Sequence, residues 1–362
     1  MKNILKMVVV IFTMMFIMGP GGCRPKDLEG AFVHYGANRY DEALVLAEKV
    51  TKEIPTNPEG WFLLGKLYGQ KDRIADMVMA FDKSLEIAPT HKADIEIEKQ
   101  SYFAKKFNSG ANLYNKYLGF EDRTSEEAIA KMENSIKSFS DANTIKVDYK
   151  AIDLSATGYK LLGRNDDALK SYSMLTETFP DSSKAWLALG KYHYDEKDYT
   201  TAVKSFEKST ELDDKNSESL TYLAQSYDFL EMPDKAIPAY KKAIEANDDD
   251  AAIPFNLGLL LYKAAVEKGV PLVTKKEKLN MAIEFFTKSI ELNPDFISSY
   301  QLKGNSELLI EKYADARMTL EEGVNMFPED GQMWEDLAKS YALLGEKEKA
   351  NEAYKRADEL NK

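Results

Sequence analysis

The side chains best suited to chemistry are scarce in this sequence and badly spaced for it. Among 362 residues there are one cysteine, Cys23, and three histidines, His34, His91 and His193. A structural zinc site takes four such ligands in closely spaced pairs, so one cysteine and three scattered histidines build none. A disulfide within the chain is impossible, and neither a metal nor a cofactor is expected. Serine, aspartate and glutamate abound, yet there is no GxSxG elbow, no HExxH pair and no phosphate loop, so catalytic residues are expected to be absent. The run Asp248 to Asp250 reads as a solvated turn and helix-start charge rather than a calcium site. Acids outnumber bases 60 to 48, giving a net charge of −12. With no basic stripe to offset it, such a surface repels a phosphate backbone and no nucleic-acid partner is expected.

The lone cysteine has a particular setting. Lys2 and Lys6 precede the run MVVVIFTMMFIM from Met7 to Met18, and GPGGC follows it, ending at Cys23. A basic start, a short apolar stretch and small residues are the layout of a secretory signal, and twelve residues are too few for a helix to cross a bilayer of about 30 Å. Here the chain resembles a bacterial lipoprotein precursor. The resemblance implies removal of residues 1–22, a diacylglycerol on Cys23, and acylation of the new amine by a fatty acid such as palmitate. Residues 23–26 would then be a lipidated tether on the membrane. Pro20 departs from the family's aliphatic residue at that place. An ordinary secretory signal with a chance cysteine, or an uncleaved anchor over Ile4 to Gly22, stays open beside this reading. Arg24 stands where an aspartate retains lipoproteins at the inner membrane in some bacteria, so the resemblance implies the outer membrane of a bacterial cell envelope.

The rest of the chain repeats. Alanines at Ala43, Ala128, Ala168, Ala202, Ala236, Ala282, Ala316 and Ala350, with Met77 in the one slot that lacks one, open amphipathic segments. Ala168, Ala202 and Ala236 are 34 residues apart, and so are Ala282, Ala316 and Ala350. Four residues after each slot but the first comes a bulkier group, Phe81, Met132, Tyr172, Phe206, Tyr240, Phe286, Leu320 or Tyr354, and after the first the smaller Ala47. Twelve before most of them stands a small one: Ala31, Gly65, Ala156, Gly190, Ala224, Gly304 or Ala338. Proline closes many units, at Pro55, Pro89, Pro180, Pro294 and Pro328. A small residue lets two helices approach, a ring fills the space beside it, and a proline ends the second helix. The period is therefore helix, turn, helix, stop.

These columns, with Trp61, Leu64-Gly65 and Tyr68, then Trp186 and Leu189-Gly190, then Trp334, Leu337-Ala338 and Tyr341, resemble the tetratricopeptide repeat. That implies an all-α, right-handed superhelical solenoid of about nine helix pairs over residues 27–362, drawn at 27–57, 58–91, 92–148, 149–182, 183–216, 217–250, 251–296, 297–330 and 331–362. Two units break the period. Residues 267–278, EKGVPLVTKKEK, lengthen one unit as a basic, flexible loop. The unit 92–148 is expected to start its first helix about three turns early and to carry Ala111 in its small slot. Thr124 and Glu127 form a capping box for its second helix. Pro238 should bend the helix it interrupts.

By the family's pattern the first helices face a groove, and the spacing assigns to it Phe62, Lys66, Leu187, Lys191, Tyr194, Gln225, Phe229, Phe255, Tyr262, Asn305 and Lys339. Aromatics among amides and lysines suit an extended peptide or a partner helix. The expected function is a lipid-anchored, non-catalytic scaffold that binds envelope proteins or peptides. The alternative is a component of a small-molecule uptake system that holds a ligand or a substrate-binding protein, favoured if the long third-unit helix closes an apolar pocket.

Overall fold

The computed structural model describes residues 24–362, and Cys23 with the proposed signal lies outside them. Eighteen α-helices and one 3-10 turn, with no strands, make up the described residues. In pairs they are α1 (Lys26–Gly36) and α2 (Tyr40–Glu53), α3 (Pro58–Gln70) and α4 (Ile74–Ile87), α5 (Lys92–Leu118) and α6 (Glu126–Ile145), α7 (Tyr149–Leu161) and α8 (Asn165–Thr178). Then follow α9 (Ser183–Asp195) and α10 (Tyr199–Leu212), α11 (Ser217–Phe229) and α12 (Pro233–Ala246), α13 (Ala252–Val266) and α14 (Leu272–Leu292). The last pairs are α15 (Ile297–Leu309) with α16 (Tyr313–Met326), and α17 (Gly331–Leu343) with α18 (Lys347–Leu360). The fold class is an all-α solenoid. The described residues divide into two compact units at Ser171 and Tyr172.

Within a pair, the small slot is set by steric need. A Cβ built on Gly190 would lie 2.5 Å from the Phe206 ring, and on Gly258 it would lie 2.8 Å from the Phe286 ring. Phe206, Phe286 and Phe81 are fully buried, so the ring on the second helix occupies the volume that a side chain on the first would need. Three further columns hold successive helices together. Trp61, Trp186 and Trp334 donate their indole N–H to the carbonyls of Pro55, Pro180 and Pro328, at 2.9, 2.8 and 3.0 Å. Tyr68 and Tyr341 donate to Glu48 and Glu321 of the helix before, at 3.1 and 2.7 Å, and Tyr227 does so to Glu207 at 2.5 Å. Ser84, Ser209 and Ser289 reach back to the first-turn carbonyls of Pro58, Ser183 and Ala251 at 2.7, 2.8 and 2.9 Å. The tyrosine and serine bonds are partly buried and satisfy polar groups that burial would otherwise penalise by about 1–3 kcal/mol, whereas the Trp bonds are exposed.

Corners follow the same period. Asn38, Asp72, Lys197, Glu231, Glu311, Gly163 and Gly345 all take a left-handed conformation at the end of a first helix, with φ between 56° and 83°. Only two of these seven are glycine, so the closing bonds from the residue that follows to the helix, such as Asp198 N–H to the His193 carbonyl at 2.9 Å, hold side-chain-bearing residues where a Cβ is disfavoured.

Several expectations differ in the structure. Residues 272–278 are not a loop: they are the first two turns of α14, and only Glu267–Pro271 is non-helical. Between Pro271 and Pro294 the chain has no glycine or proline, its lysines are good helix formers, and Lys278 and buried Leu279 tie the added turns to α13 and the core. Ser125, not Thr124, caps α6, accepting from Ala128 N–H at 3.3 Å, because the Thr124 hydroxyl is spent on Asp122 at 2.6 Å. Gly110, not Ala111, fills the small slot of its pair, and the ring against it is Phe139 rather than Met132. Pro238 lies inside α12, as its place in the sequence predicts, and the helix runs on to Ala246.

The long α5 spends its added turns on the second pair. Ile95 is fully buried there, Tyr102 covers Gly69, Lys99 pairs with Asp82 at 2.6 Å, and Glu98 pairs with Lys66 at 3.0 Å. Lys106, almost entirely buried, bridges Asp72 at 2.7 Å and Asp141 at 2.8 Å. One ammonium thus joins the corner of the second pair to α6.

Candidate functional site

The first helices of residues 172–362 present one polar and aromatic face, and α9 and α11 contribute its densest part. Ser182 and Asn216 start these helices by capping Ala185 N–H at 3.4 Å and Ser219 N–H at 2.9 Å, which sets the register of every residue after them. The spacing of three and four residues along each helix then brings Lys191 and Tyr194 of α9 beside Glu218, Tyr222, Gln225 and Phe229 of α11.

Tyr194 is the centre. Its hydroxyl donates to Gln225 Oε1 at 3.1 Å. Its ring meets Tyr199, Tyr222 and Phe229 edge-on, with centroids 5.4, 5.1 and 5.9 Å away. Phe229 lies flat on Tyr199 at 4.5 Å and is still 58% exposed. Burial, with help from the neighbouring tyrosines and Asp195, pushes the Tyr194 hydroxyl up to about 12, so it stays a neutral donor at any physiological pH. Lys191 closes the other side, 2.7 Å from Glu218 and over the Tyr222 ring at 5.4 Å. Beyond Tyr222 a cleft of about 350 Å³ opens between α11 and α13, lined by Thr221, Tyr222, Gln225, Asn247, Ile253 and Asn256 among others. A stacked aromatic wall beside an amide-lined cleft has places for an apolar side chain and for backbone amides.

The structure brings together Lys191, Tyr194, Gln225 and Phe229 of the residues assigned from sequence. Tyr262 and Asn305 form a second pair, hydroxyl to Oδ1 at 2.8 Å, and Lys339 is held by Glu335 and Asp336 at 3.0 and 2.9 Å. Two assignments are corrected. Phe62 is buried: His91 stacks on it at 4.4 Å and Phe81 lies beneath it. Leu187 is buried in the core around Phe206 and Leu220. Both stand at the edge of the first-helix face, where a neighbour decides whether they are covered. Phe255 is half-buried between Phe286 and Phe296, its centroid 4.7 Å from the latter. Lys66 sits in the other compact unit, over the Tyr35 ring at 5.3 Å and against Glu98. Spacing overlooked Tyr199, Tyr222 and Asn256. Asn256 follows Phe255, which the spacing assigned to the groove, and that adjacency was the available signal.

Among the described residues no group of three or more His, Cys, Asp or Glu is placed to hold a metal ion. No helix among them is long and apolar enough to cross a membrane.

Comparison with known proteins agrees with this geometry. Two family models, both described as Tetratricopeptide repeat, match residues 159–217 and 302–361, and residues 58–91, 217–250 and 274–296. Together they take in more than half of the chain. Superkiller complex protein 3 of Homo sapiens is 23% identical over 376 residues, which cover 89% of this chain and 22% of that protein. Tetratricopeptide repeat protein 37 of Xenopus laevis is 23% identical over 307 residues, covering 77% and 19%. The chain thus spans about a fifth of the length of these curated relatives. The crystal structure of the C-terminal part of a TPR repeat-containing protein from Cytophaga hutchinsonii superposes with a TM-score of 0.54 at 16% identity, over 70% of this chain and 95% of that one. With the small-residue slots, the Trp-to-Pro bonds and the left-handed corners recurring at one period, the chain belongs to the tetratricopeptide repeat family.

Proposed function

We propose that this protein is a non-catalytic scaffold that holds an extended peptide segment of a bacterial envelope protein across α9, α11 and α13, and that a lipid on Cys23 tethers it to the membrane. The observation that carries the binding site is the stacked Tyr199–Phe229 pair, left 58% exposed at Phe229 beside the amide-lined cleft. An aromatic ring kept half in water is favourable to cover, by about 25 cal/mol for each Å² removed from solvent. Gln225 accepts from Tyr194, which leaves its amide nitrogen to donate to a peptide carbonyl. The uptake-system alternative has no comparable support, since the added turns of α5 are spent on packing against α3 and α4.

The test is a cross-linked pull-down from detergent-solubilised membranes with the native chain and with Phe229→Ala plus Gln225→Ala. Both residues are outside the core, so the variant should fold. Recovery of one envelope protein with the native chain, lost about 10-fold or more with the variant, is the expected result; equal recovery with both removes the site from consideration. The anchor is tested separately by Cys23→Ser, which should release the chain from membranes washed with high salt.

A further inference from the structure

The α13–α14 corner differs from every other corner of residues 172–362. The helices α10, α12, α16 and α18 begin three residues before their alanine slots Ala202, Ala236, Ala316 and Ala350, whereas α14 begins ten residues before Ala282. Seven added residues make a helical overhang of about 10 Å. It is fastened at its base: Lys278 donates to the Ala264 carbonyl at 3.3 Å, and Leu279 is fully buried with Ala265 and Ile310. Its end carries apolar residues in the open. Leu272 is 64% and Val273 70% exposed, and Val266 across the corner is exposed as well.

Charge makes this tip unusual. Between residues 263 and 278 there are five lysines against Glu267 and Glu277, in a chain whose net charge is −12. Some lysines of this unit pair with carboxylates, as Lys191, Lys208 and Lys339 do, while others such as Lys241, Lys242 and Lys288 do not. Lys268, Lys275 and Lys276 take part in no ion pair of the described residues. Exposed aliphatics beside lysines that outnumber the acids of the corner match an anionic bilayer, with acyl chains for the first and headgroup phosphates for the second. Nucleic acid would answer the lysines and leave Leu272 and Val273 in water. We propose that the α13–α14 corner is a membrane-contacting tip that sinks Leu272 and Val273 into an anionic lipid surface. It needs no lipid on Cys23 and does not rest on the peptide site. Because charge interactions fade over about 8 Å in physiological salt, the tip lysines act at the headgroups, opposed in part by Asp228 and Glu231, which line a pocket with Lys263 and Val266.

The experiment uses the full chain with Cys23→Ser and an environment-sensitive fluorophore on Val273→Cys, with the same probe on Met318→Cys, an exposed site of α16, as control. On vesicles containing phosphatidylglycerol, the probe at 273 should shift to shorter wavelength and be quenched by nitroxide-labelled lipid. The probe at 318 should do neither. Replacing Lys275 and Lys276 by serine should raise the anionic vesicle concentration at half-signal about 30-fold, about fivefold for each lysine. A probe at 273 that stays water-like on anionic vesicles, that responds equally on pure phosphatidylcholine, or that is indifferent to the two serines overturns the proposal. A response seen with membrane proteins present and lost on protein-free vesicles would make the tip a protein-docking element and overturn it too.

Discussion

The pairs α9–α10 and α5–α6 close with the same contact and reach it by different spacing. In α9–α10 the glycine and the ring that fills its place are Gly190 and Phe206, 16 residues apart, the corner is left-handed at Lys197, and Ser209 bonds the Ser183 carbonyl. In α5–α6 they are Gly110 and Phe139, 29 residues apart. That corner lacks a left-handed residue, Gly119 having φ −80°, and Ser135 bonds the Gly110 carbonyl at 2.7 Å. What the two share is a ring in the place of a missing Cβ and a serine on the facing backbone. In these two pairs the interface is therefore what is kept, and the 34-residue count is one way to build it. The irregular pair adds something the regular one does without: the Asp72–Lys106–Asp141 bridge.

The largest effect should come from the rings. Phe206→Ala and Phe139→Ala each remove a fully buried ring and should each cost about 4 kcal/mol in urea unfolding. If Phe139→Ala costs less than about 1 kcal/mol, the two interfaces are not equivalent and the comparison breaks. Next is Lys106→Ala, which leaves Asp141 partly buried without its cation. Because Asp72 is mostly exposed, the loss should be about 2 kcal/mol, below the value for a fully buried pair, and thermal unfolding at low and high salt should show it in both.

A departure inside the regular array gives the third test. Glu307 stands three residues after the small Gly304, the place of Tyr68, Tyr227 and Tyr341 in other pairs. It is buried, Lys303 lies 3.8 Å from Oε1, and Oε2 has no hydrogen-bond partner. Burial holds its carboxyl above the ordinary value, with Lys303 opposing. The folded chain then keeps a proton at pH values where the unfolded chain has lost it. This group's contribution to stability is present below the ordinary glutamate range and lost as pH rises through the raised folded value. Glu307→Gln should add about 1 kcal/mol at neutral pH, with the gain shrinking toward pH 4 in urea titrations; a gain independent of pH would assign the effect to packing. The smallest effect is at the corners. Lys197→Gly should stabilise by up to about 1 kcal/mol, Gly345→Ala should destabilise by a similar amount, and Gly119→Ala, in the corner without a left-handed residue, should not destabilise at all in chemical unfolding.

Most of the fold was legible because the columns state the helix period directly. Gly190 and Phe206 are a fixed distance apart on a regular helix pair, so spacing alone predicts that they meet. The candidate site was legible in part. Lys191, Tyr194, Gln225 and Phe229 lie on the first-helix face by register, and they do converge. Register cannot say how far a neighbour covers an edge position, and so Phe62, under His91, and Leu187, against Leu220, were assigned to a groove and are buried.

By itself, then, the sequence determined the all-α class, nine helix pairs over residues 27–362 and the residue types facing each other within a regular pair, because helical periodicity is local and a 34-residue recurrence phases it. Tertiary structure alone decided that residues 272–278 are helix, that Gly110 and Phe139 are the matched partners in the long unit, that Lys106 is buried between two aspartates, and which edge residues stay in water. Those outcomes depend on contacts between elements whose separation along the chain no period specifies, where the volume and charge supplied by the neighbour settle whether a side chain is buried or exposed.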